Sequence, residues 1–266
     1  MKRLIAILAI IIFASPCFAC SDINVSFNDG IYHIVLKGKK IKKRIKFISN
    51  DSLITNKEVH KLTKSRLTVN AGYFDPKTER SISYIVTDRH TSEDPQLNDS
   101  LMSNPILRRN LEKIINRSEF RIVECYDGKL HYEIAPHKSP VDFGCTIITS
   151  AQGGPLVYPE LRLEEEFFIV KDEEGNVIRE SCSVLHKAAR TVIGLKDDEV
   201  HILIITDKHP MDLFEVRDYV KSLRLDRAMT FDGGSSTSMN YLDKYSVVST
   251  EDNDTGRSLK SFMLVK

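Results

Sequence analysis

Apolar and polar positions alternate with period two over much of this chain, the pattern of half-buried strands. Ile23, Val25 and Phe27 alternate, Asn28-Asp29-Gly30 supplies a turn, and Ile31 to Leu36 returns, so Asp22 to Lys37 predicts a β-hairpin. A second hairpin is predicted over Arg121 to Ile134 around Asp127-Gly128, and a third turning at Gly175-Asn176. Short strand-like runs recur at Arg44 to Ser49, Arg66 to Val69, Thr146 to Ser150, Thr191 to Leu195, Val200 to Thr206 and Ala228 to Phe231. The helical period is rarer. Ile106, Leu107, Leu111, Ile114 and Ile115 predict a core-packed helix over Asn104 to Arg117. Leu213, Val216, Val220 and Leu223 share one face of a second, which Asp212 and Glu215 can open as a capping box. Residues 87–104 are polar and irregular and read as a surface loop or insertion. Strands dominate and helices intervene irregularly, so the expectation is a single α+β domain of mixed or antiparallel sheets, not a regular βαβ array.

Composition leaves this picture unchanged. The chain has 266 residues, 41% hydrophobic and 28% charged, enough for a substantial core. The amino-terminal residues change it more. Lys2 and Arg3 precede a continuous apolar run from Leu4 to Phe13, and Ser15-Pro16-Cys17-Phe18-Ala19 then breaks it with small residues at Cys17 and Ala19. That layout predicts a secretory signal peptide over residues 1–19, a mature domain over 20–266, and an exported product, periplasmic or extracellular. Cys20 would lead the mature chain. An acylated Cys20 and a free one both stay open, although Cys17 stands where a lipidation signal usually has leucine. The run is too short for a comfortable transmembrane span. With 38 basic and 37 acidic residues, two of the basic ones inside the leader, the mature chain is close to neutral and nucleic acid is not an expected partner. Cys20, Cys125, Cys145 and Cys182 show no metal-ligand spacing, and neither a metal nor another cofactor is expected. A disulfide among them is compatible with export, its pairing open.

Four segments are poorly suited to routine packing. Asn70-Ala71-Gly72-Tyr73-Phe74-Asp75 follows a strand and can aim Asn70 and Asp75 into a pocket. Gln152-Gly153-Gly154-Pro155 would let a ligand approach the backbone at Gly153 and Gly154. Arg190 enters the apolar strand Thr191 to Leu195 and has the planar fork that holds a phosphate through two parallel hydrogen bonds. Most specific is Ala228 to Phe231, an apolar strand running into Asp232-Gly233-Gly234-Ser235-Ser236-Thr237-Ser238. A carboxylate at a strand end, followed by two glycines and four hydroxyl residues, suits a turn whose N–H groups and hydroxyls bind an anion. No GxSxG elbow, phosphate-binding P-loop or HExxH motif is present.

In this order the segments resemble the phosphodiester glycosidase family, whose pattern runs through an asparagine-glycine-glycine-aromatic-phenylalanine-aspartate motif, a glycine-glycine-proline-leucine segment, an arginine-threonine strand and an aspartate-glycine-glycine turn followed by serines. Here these are Asn70 to Asp75, Gly153 to Leu156, Arg190 to Gly194 and Phe231 to Ser236. Ile202 to Asp207 fits the family's strand ending in aspartate, and Ser261 to Val265 its final strand. The resemblance covers about residues 65–266. Ala71 and Lys208 depart from it, standing where glycine is usual. It implies a hydrolase cutting the bond between a sugar's anomeric carbon and a phosphodiester, acting on a sugar-phosphate small molecule or an envelope glycan. The catalytic candidates are Asp232, Arg190, Asp207 and Asn70. The substrate-binding candidates are Asp75, Gly153, Gly154, Gly233, Gly234, Ser235, Ser236 and Thr237. A noncatalytic envelope binder or assembly protein on the same fold is the alternative.

Overall fold

The computed structural model describes residues 22–249 and 255–266. The predicted leader over residues 1–19 and the question of Cys20 lie outside the described residues. Three antiparallel sheets surround a shared core. The first has six strands in the order Ile23–Asn28, Ile31–Leu36, Glu199–Ile205, Arg190–Lys196, Arg227–Thr230, Leu156–Tyr158. The second has five, in the order Tyr245–Val248, Ser238–Tyr241, Leu67–Asn70, Ser258–Val265, Ile45–Thr55. The third also has five, in the order His90–Glu93, Ile85–Thr87, Cys145–Gln152, Ser118–Cys125, Leu130–Pro136. A separate two-stranded ribbon pairs Ile169–Lys171 with Val177–Glu180. This is the α+β architecture with few helices that the patterning predicts.

The unbroken run Ile202-Leu203-Ile204-Ile205 has a simple cause. Its strand is covered on both sides: Ile202 and Ile204 enter the core shared by the three sheets, whereas Leu203 and Ile205 join a second cluster with Leu213, Val216 and Val220 of the helix Leu213–Ser222. The last strand does the same in the second sheet. Met263 and Val265 face the shared core, while Phe262 and Leu264 pack with Val59 of the helix Asn56–Thr63. Each central strand therefore removes apolar surface from water on two faces, at roughly 25 cal/mol per Å².

The hairpins turn where expected. Asp29 and Gly30 both have positive φ, as does Gly128. The helix Leu213–Ser222 opens with the predicted capping box, Asp212 accepting from the Phe214 and Glu215 N–H groups. Two expectations fail. The helix over Asn104 to Arg117 is two five-residue helices, Pro105–Arg109 and Leu111–Ile115, broken at Asn110, whose side chain donates back to the Ile106 carbonyl. The break leaves Ile106 exposed and turns Ile114 and Ile115 inward. Residues 87–104, read as a loop, hold the edge strand His90–Glu93, a 3-10 turn at Pro95–Leu97 and the short helix Asp99–Ser103. The helix Asn56–Thr63 was not anticipated, although Thr55 and Glu58 form a full capping box at its start.

Cys125 and Cys145 form a disulfide between directly opposed residues of neighbouring strands. Cys182 is the free cysteine among the described residues. The disulfide closes a sequence separation of 20 residues, and a loop of that size contributes at most about 3 kcal/mol through the unfolded state. Because the strand ladder already sets this register, reduction is expected to lower the melting temperature while the far-ultraviolet circular dichroism spectrum stays native at 25 °C. Loss of the native spectrum on reduction would show that the third sheet depends on the bond.

Candidate functional site

Asp232 leaves the end of the strand Arg227–Thr230 held on both sides. The Phe231 N–H donates to the Thr191 carbonyl and the Asp232 N–H to the Ala71 carbonyl. The Asp232 carbonyl accepts from the Asn70 side-chain amide at 2.6 Å. The amide oxygen of Asn70 in turn accepts from the Thr191 hydroxyl at 2.7 Å and the Ser238 N–H at 3.0 Å. Asn70 is 1% exposed. It therefore positions the backbone around Asp232 and is not among the residues that line the cleft beside it.

The Asp232 side chain points into a cleft of about 490 Å³. The cleft is polar where Asp232, Gly233, Gly234, Ser235 and Arg257 line it and apolar at Phe74, Ile82 and Leu107. Enclosure by the surrounding protein pushes the Asp232 carboxyl up to about 6; a hydrogen bond from Ser236, the nearby Arg257 guanidinium and the Gly233 N–H oppose that rise. Arg257 donates to the Ser235 hydroxyl at 3.2 Å and the Ser236 hydroxyl at 3.4 Å, and lies over the Phe74 ring at 5.0 Å.

The other predicted residues fall in different places. Arg190 borders the cleft floor, and a Cβ on Gly233 would lie 3.8 Å from its Nη1. Its guanidinium is committed elsewhere. Nε donates to the Met211 carbonyl, Nη1 to Cys182, and Nη2 to Ser183 and His186. The fork expected to grip a phosphate is thus closed on four backbone carbonyls and anchors the 182–186 loop. Gly153 and Gly154 lie beneath the strand Arg227–Thr230, with their N–H groups donating to the Ser118 and Thr230 carbonyls. A Cβ at Gly153 would come within 2.4 Å of the Thr230 oxygen, and one at Gly154 (φ +95°) within 2.2 Å of Glu166. These glycines serve close backbone packing, not ligand approach. Asp75 accepts from the Ser100 hydroxyl and the Lys77 N–H, which hold its carboxyl below the usual range, Ser100 most strongly. Asp207 accepts from the Ser249 hydroxyl and lines a separate depression with Phe27, Tyr32 and Lys208. It does not share the Asp232 cleft.

The Gly-Ser turn also differs from an open anion nest. The Gly233 N–H donates to Asp232 Oδ1, the Gly234 N–H to the Ala189 carbonyl, and the Ser236 and Thr237 N–H groups close a 3-10 turn. Gly234 needs its φ of +57° for that turn. Ser235 is exposed in the cleft, whereas Ser236 and Thr237 are buried beneath it.

Several cleft residues carry no motif. Arg117, Arg179 and Arg257 come from three distant segments, and Cys182 lines the same cleft. The Cys182 thiol opens toward solvent through the cleft mouth but is ringed by protein, and this enclosure, with Asp232 next, pushes it up to about 11. It stays a neutral thiol at pH 7 and a poor nucleophile. Tyr73 is buried, its hydroxyl donating to the Gly154 carbonyl. No local signal marks the three arginines, which share no flanking pattern: Asn116 and Ser118, Ile178 and Glu180, and Gly256 and Ser258 adjoin them. Among the described residues no group of three or more His, Cys, Asp or Glu side chains is placed to hold a metal ion.

The sequence pattern of the Phosphodiester glycosidase family matches residues 63–266, and the chain belongs to that family. Its fold is similar to that of the catalytic domain of zebrafish N-acetylglucosamine-1-phosphodiester alpha-N-acetylglucosaminidase, auto-inhibited by its pro-peptide. The TM-score is 0.61 at 13% identity over 91% of this chain and 81% of that one. A protein of Burkholderia pseudomallei K96243, named as exported, aligns at a TM-score of 0.61 and 10% identity, over 88% of this chain and 73% of that one. A hypothetical protein from Synechocystis aligns at 0.57 and 11%, over 92% of this chain and 61% of that one. At these identities the likeness is one of fold. No curated protein matches the chain in sequence. Among the described residues no helix is long and apolar enough to cross a membrane.

Two expectations follow from the site itself. Replacing Arg190 with methionine strands four carbonyls, each unmade bond costing about 1 kcal/mol or more. Arg190→Met should therefore lower the melting temperature and speed amide exchange selectively over residues 182–186; uniform exchange protection would refute the anchoring role. Asp232 supplies the second. Its folded-state carboxyl is raised above the unfolded one, so the native protein holds the extra proton between about pH 4 and pH 6 and stability falls as pH rises through that window. Ionised Asp232 then costs the native state on the order of 3 kcal/mol at pH 7. Asp232→Asn should raise the melting temperature at pH 7 and have little effect at pH 4. Equal effects at both pH values would contradict the raised carboxyl.

Proposed function

We propose that this chain hydrolyses the bond between the anomeric carbon of a sugar and the oxygen of a phosphodiester. The observation that carries the reading is Asp232. A carboxyl raised to about 6 sits at a cleft floor beside a Ser235–Arg257 pair, in a member of the phosphodiester glycosidase family. In the proposed reaction water adds across the C1–O bond. The sugar takes the hydroxyl, and a phosphomonoester leaves with the electron pair of the broken bond and the proton. That leaving group is a weak base, so stabilising its negative charge helps more than protonating it. Positive charge develops at C1, which the ionised Asp232 offsets as base, nucleophile or electrostatic partner. Arg257 and the Ser236 hydroxyl keep enough of Asp232 ionised near neutral pH to act. Asn70 holds the backbone from which Asp232 projects.

Arg190 enters this reading as the anchor of the 182–186 wall, and Asp75, Gly153, Gly154 and Asp207 as framework. Export after cleavage near Ala19 is part of the proposal, supported by the leader pattern, the Cys125–Cys145 bond and an exported relative of the same fold. The substrate would be a sugar-phosphate small molecule or an envelope glycan, and nucleic acid is not a proposed partner.

The test is release of free sugar and phosphomonoester from a panel of sugar-1-phosphodiesters. Turnover should rise with pH through about 6, as Asp232 ionises. Asp232→Asn should lose about 10²-fold or more in kcat together with this limb, while circular dichroism stays native. A folded Asp232→Asn enzyme with near wild-type turnover would overturn the assignment.

A further inference from the structure

We propose that Arg117 and Arg179 form a paired anion subsite that holds the phosphate of the substrate, an assignment that rests on the phosphodiester reading of the same cleft. Both side chains line the Asp232 cavity, and neither belongs to a family motif. Arg117 is only 6% exposed, yet it forms no ion pair with a carboxylate of the described residues. Arg121 shows the contrast: equally buried, it donates to Glu119 at 2.9 Å. Arg117 instead donates Nε to the Glu166 carbonyl at 2.9 Å and lays its guanidinium on the Phe168 ring at 4.1 Å. The Glu166 carboxylate attracts Arg117 electrostatically without forming an ion pair with it, its oxygens being occupied by the Ser118 N–H, the Ser118 hydroxyl and the Leu156 N–H.

Arg179 is held by a similar pair of contacts, both to one residue. Its Nη1 donates to the Phe167 carbonyl at 3.2 Å, and its guanidinium lies on the Phe167 ring at 4.2 Å. No carboxylate of the described residues pairs with it either. Two consecutive carbonyls and two consecutive rings thus hold two guanidinium groups. Phe167 adopts φ +59° to do this, a left-handed conformation unfavourable for an aromatic residue and most often retained where geometry matters. The Arg179 guanidinium is depressed first by burial and then by Arg117, so the two like charges sense one another. Planar forks held against aromatic rings, repelling each other and joined to no carboxylate by an ion pair, favour a phosphate between them.

Arg257 suits this task less well. It bonds the Ser235 and Ser236 hydroxyls beside Asp232, where a phosphate would meet the carboxylate charge. The cleft therefore separates its labours: Arg257 serves Asp232, and Arg117 and Arg179 take the leaving group.

The experiment is calorimetric titration of the full mature chain with inorganic phosphate at low salt, followed by kinetics on an active sugar-1-phosphodiester. Wild type should bind phosphate. Arg179→Gln should weaken it about tenfold or more, and Arg117→Lys comparably, since an ammonium reproduces neither fork nor stacking. Arg217→Gln, on the helix Leu213–Ser222 and outside the cleft, should leave affinity unchanged. Should Arg117→Lys not fold, Arg179→Gln at its half-buried position decides alone. Undiminished phosphate affinity in folded Arg179→Gln, or no binding by wild type, would overturn the subsite. Loss of phosphate binding in the arginine variants, with no sugar phosphodiester turned over by wild type, would support the subsite and reject the glycosidase reading. Wild-type turnover with an unchanged KM in Arg179→Gln would do the reverse.

Discussion

One buried amide organises this molecule. Asn70 directs its N–H to the Asp232 carbonyl and its oxygen to Thr191 and Ser238, so three segments far apart in sequence meet at one side chain. A buried amide left unsatisfied costs a few kcal/mol, which makes these bonds mutually conditional. The first sheet contributes Thr191, the second Asn70 and Ser238, and Asp232 runs between them. Three apolar faces could pack in several registers, but this junction admits one. Gly153 and Gly154 reinforce it, since a Cβ at Gly153 would push the strand Arg227–Thr230 away and one at Gly154 would displace Glu166.

The framework makes an unfavourable group persist. Asp232 would be easier to accommodate as a neutral carboxylic acid, and enclosure drives it that way. Arg257, Ser236 and the Gly233 N–H pull it back toward the carboxylate, leaving it balanced close to neutral pH. Such a balance needs a rigid surround, because a mobile loop would admit water and restore the ordinary value. Rigidity comes from Arg190, which ties the 182–186 wall to the strand behind it. The same chemistry that suits arginine to a phosphate, a planar fork of five donors, suits it equally to converging carbonyls. Nothing in the residue type distinguishes the two uses.

Family and fold class were legible because they rest on local patterns. The alternation of the hairpins, the capping box at Asp212 and the order of the four motifs each reflect short-range constraints that survive in sequence. The same holds for the place of Asp232, after an apolar strand and before a Gly-Gly turn, where it lines the cleft. Reading failed where the answer depended on distance. Asp207 ends a strand much as Asp232 does, yet it lies in another depression because its strand sits two positions away in the first sheet, with Arg190–Lys196 between them. The helix over Asn104 to Arg117 looked continuous by period, but Asn110 could cap and break it once Ile114 and Ile115 had a core to enter.

By itself, then, the sequence determined the strand and helix periodicities, the turn chemistry and the four-motif order that marks the family, since each is set by neighbours a few residues apart. The tertiary structure alone decided which polar groups face solvent and which face backbone. It closed Arg190 on carbonyls, buried Asn70 as a clamp, and shut the expected anion nest from within. It also brought Arg117, Arg179 and Arg257 to one cleft from segments that share no pattern. The physical reason is that a charged side chain's role is fixed by its partners, and those partners come from strands paired across the whole chain.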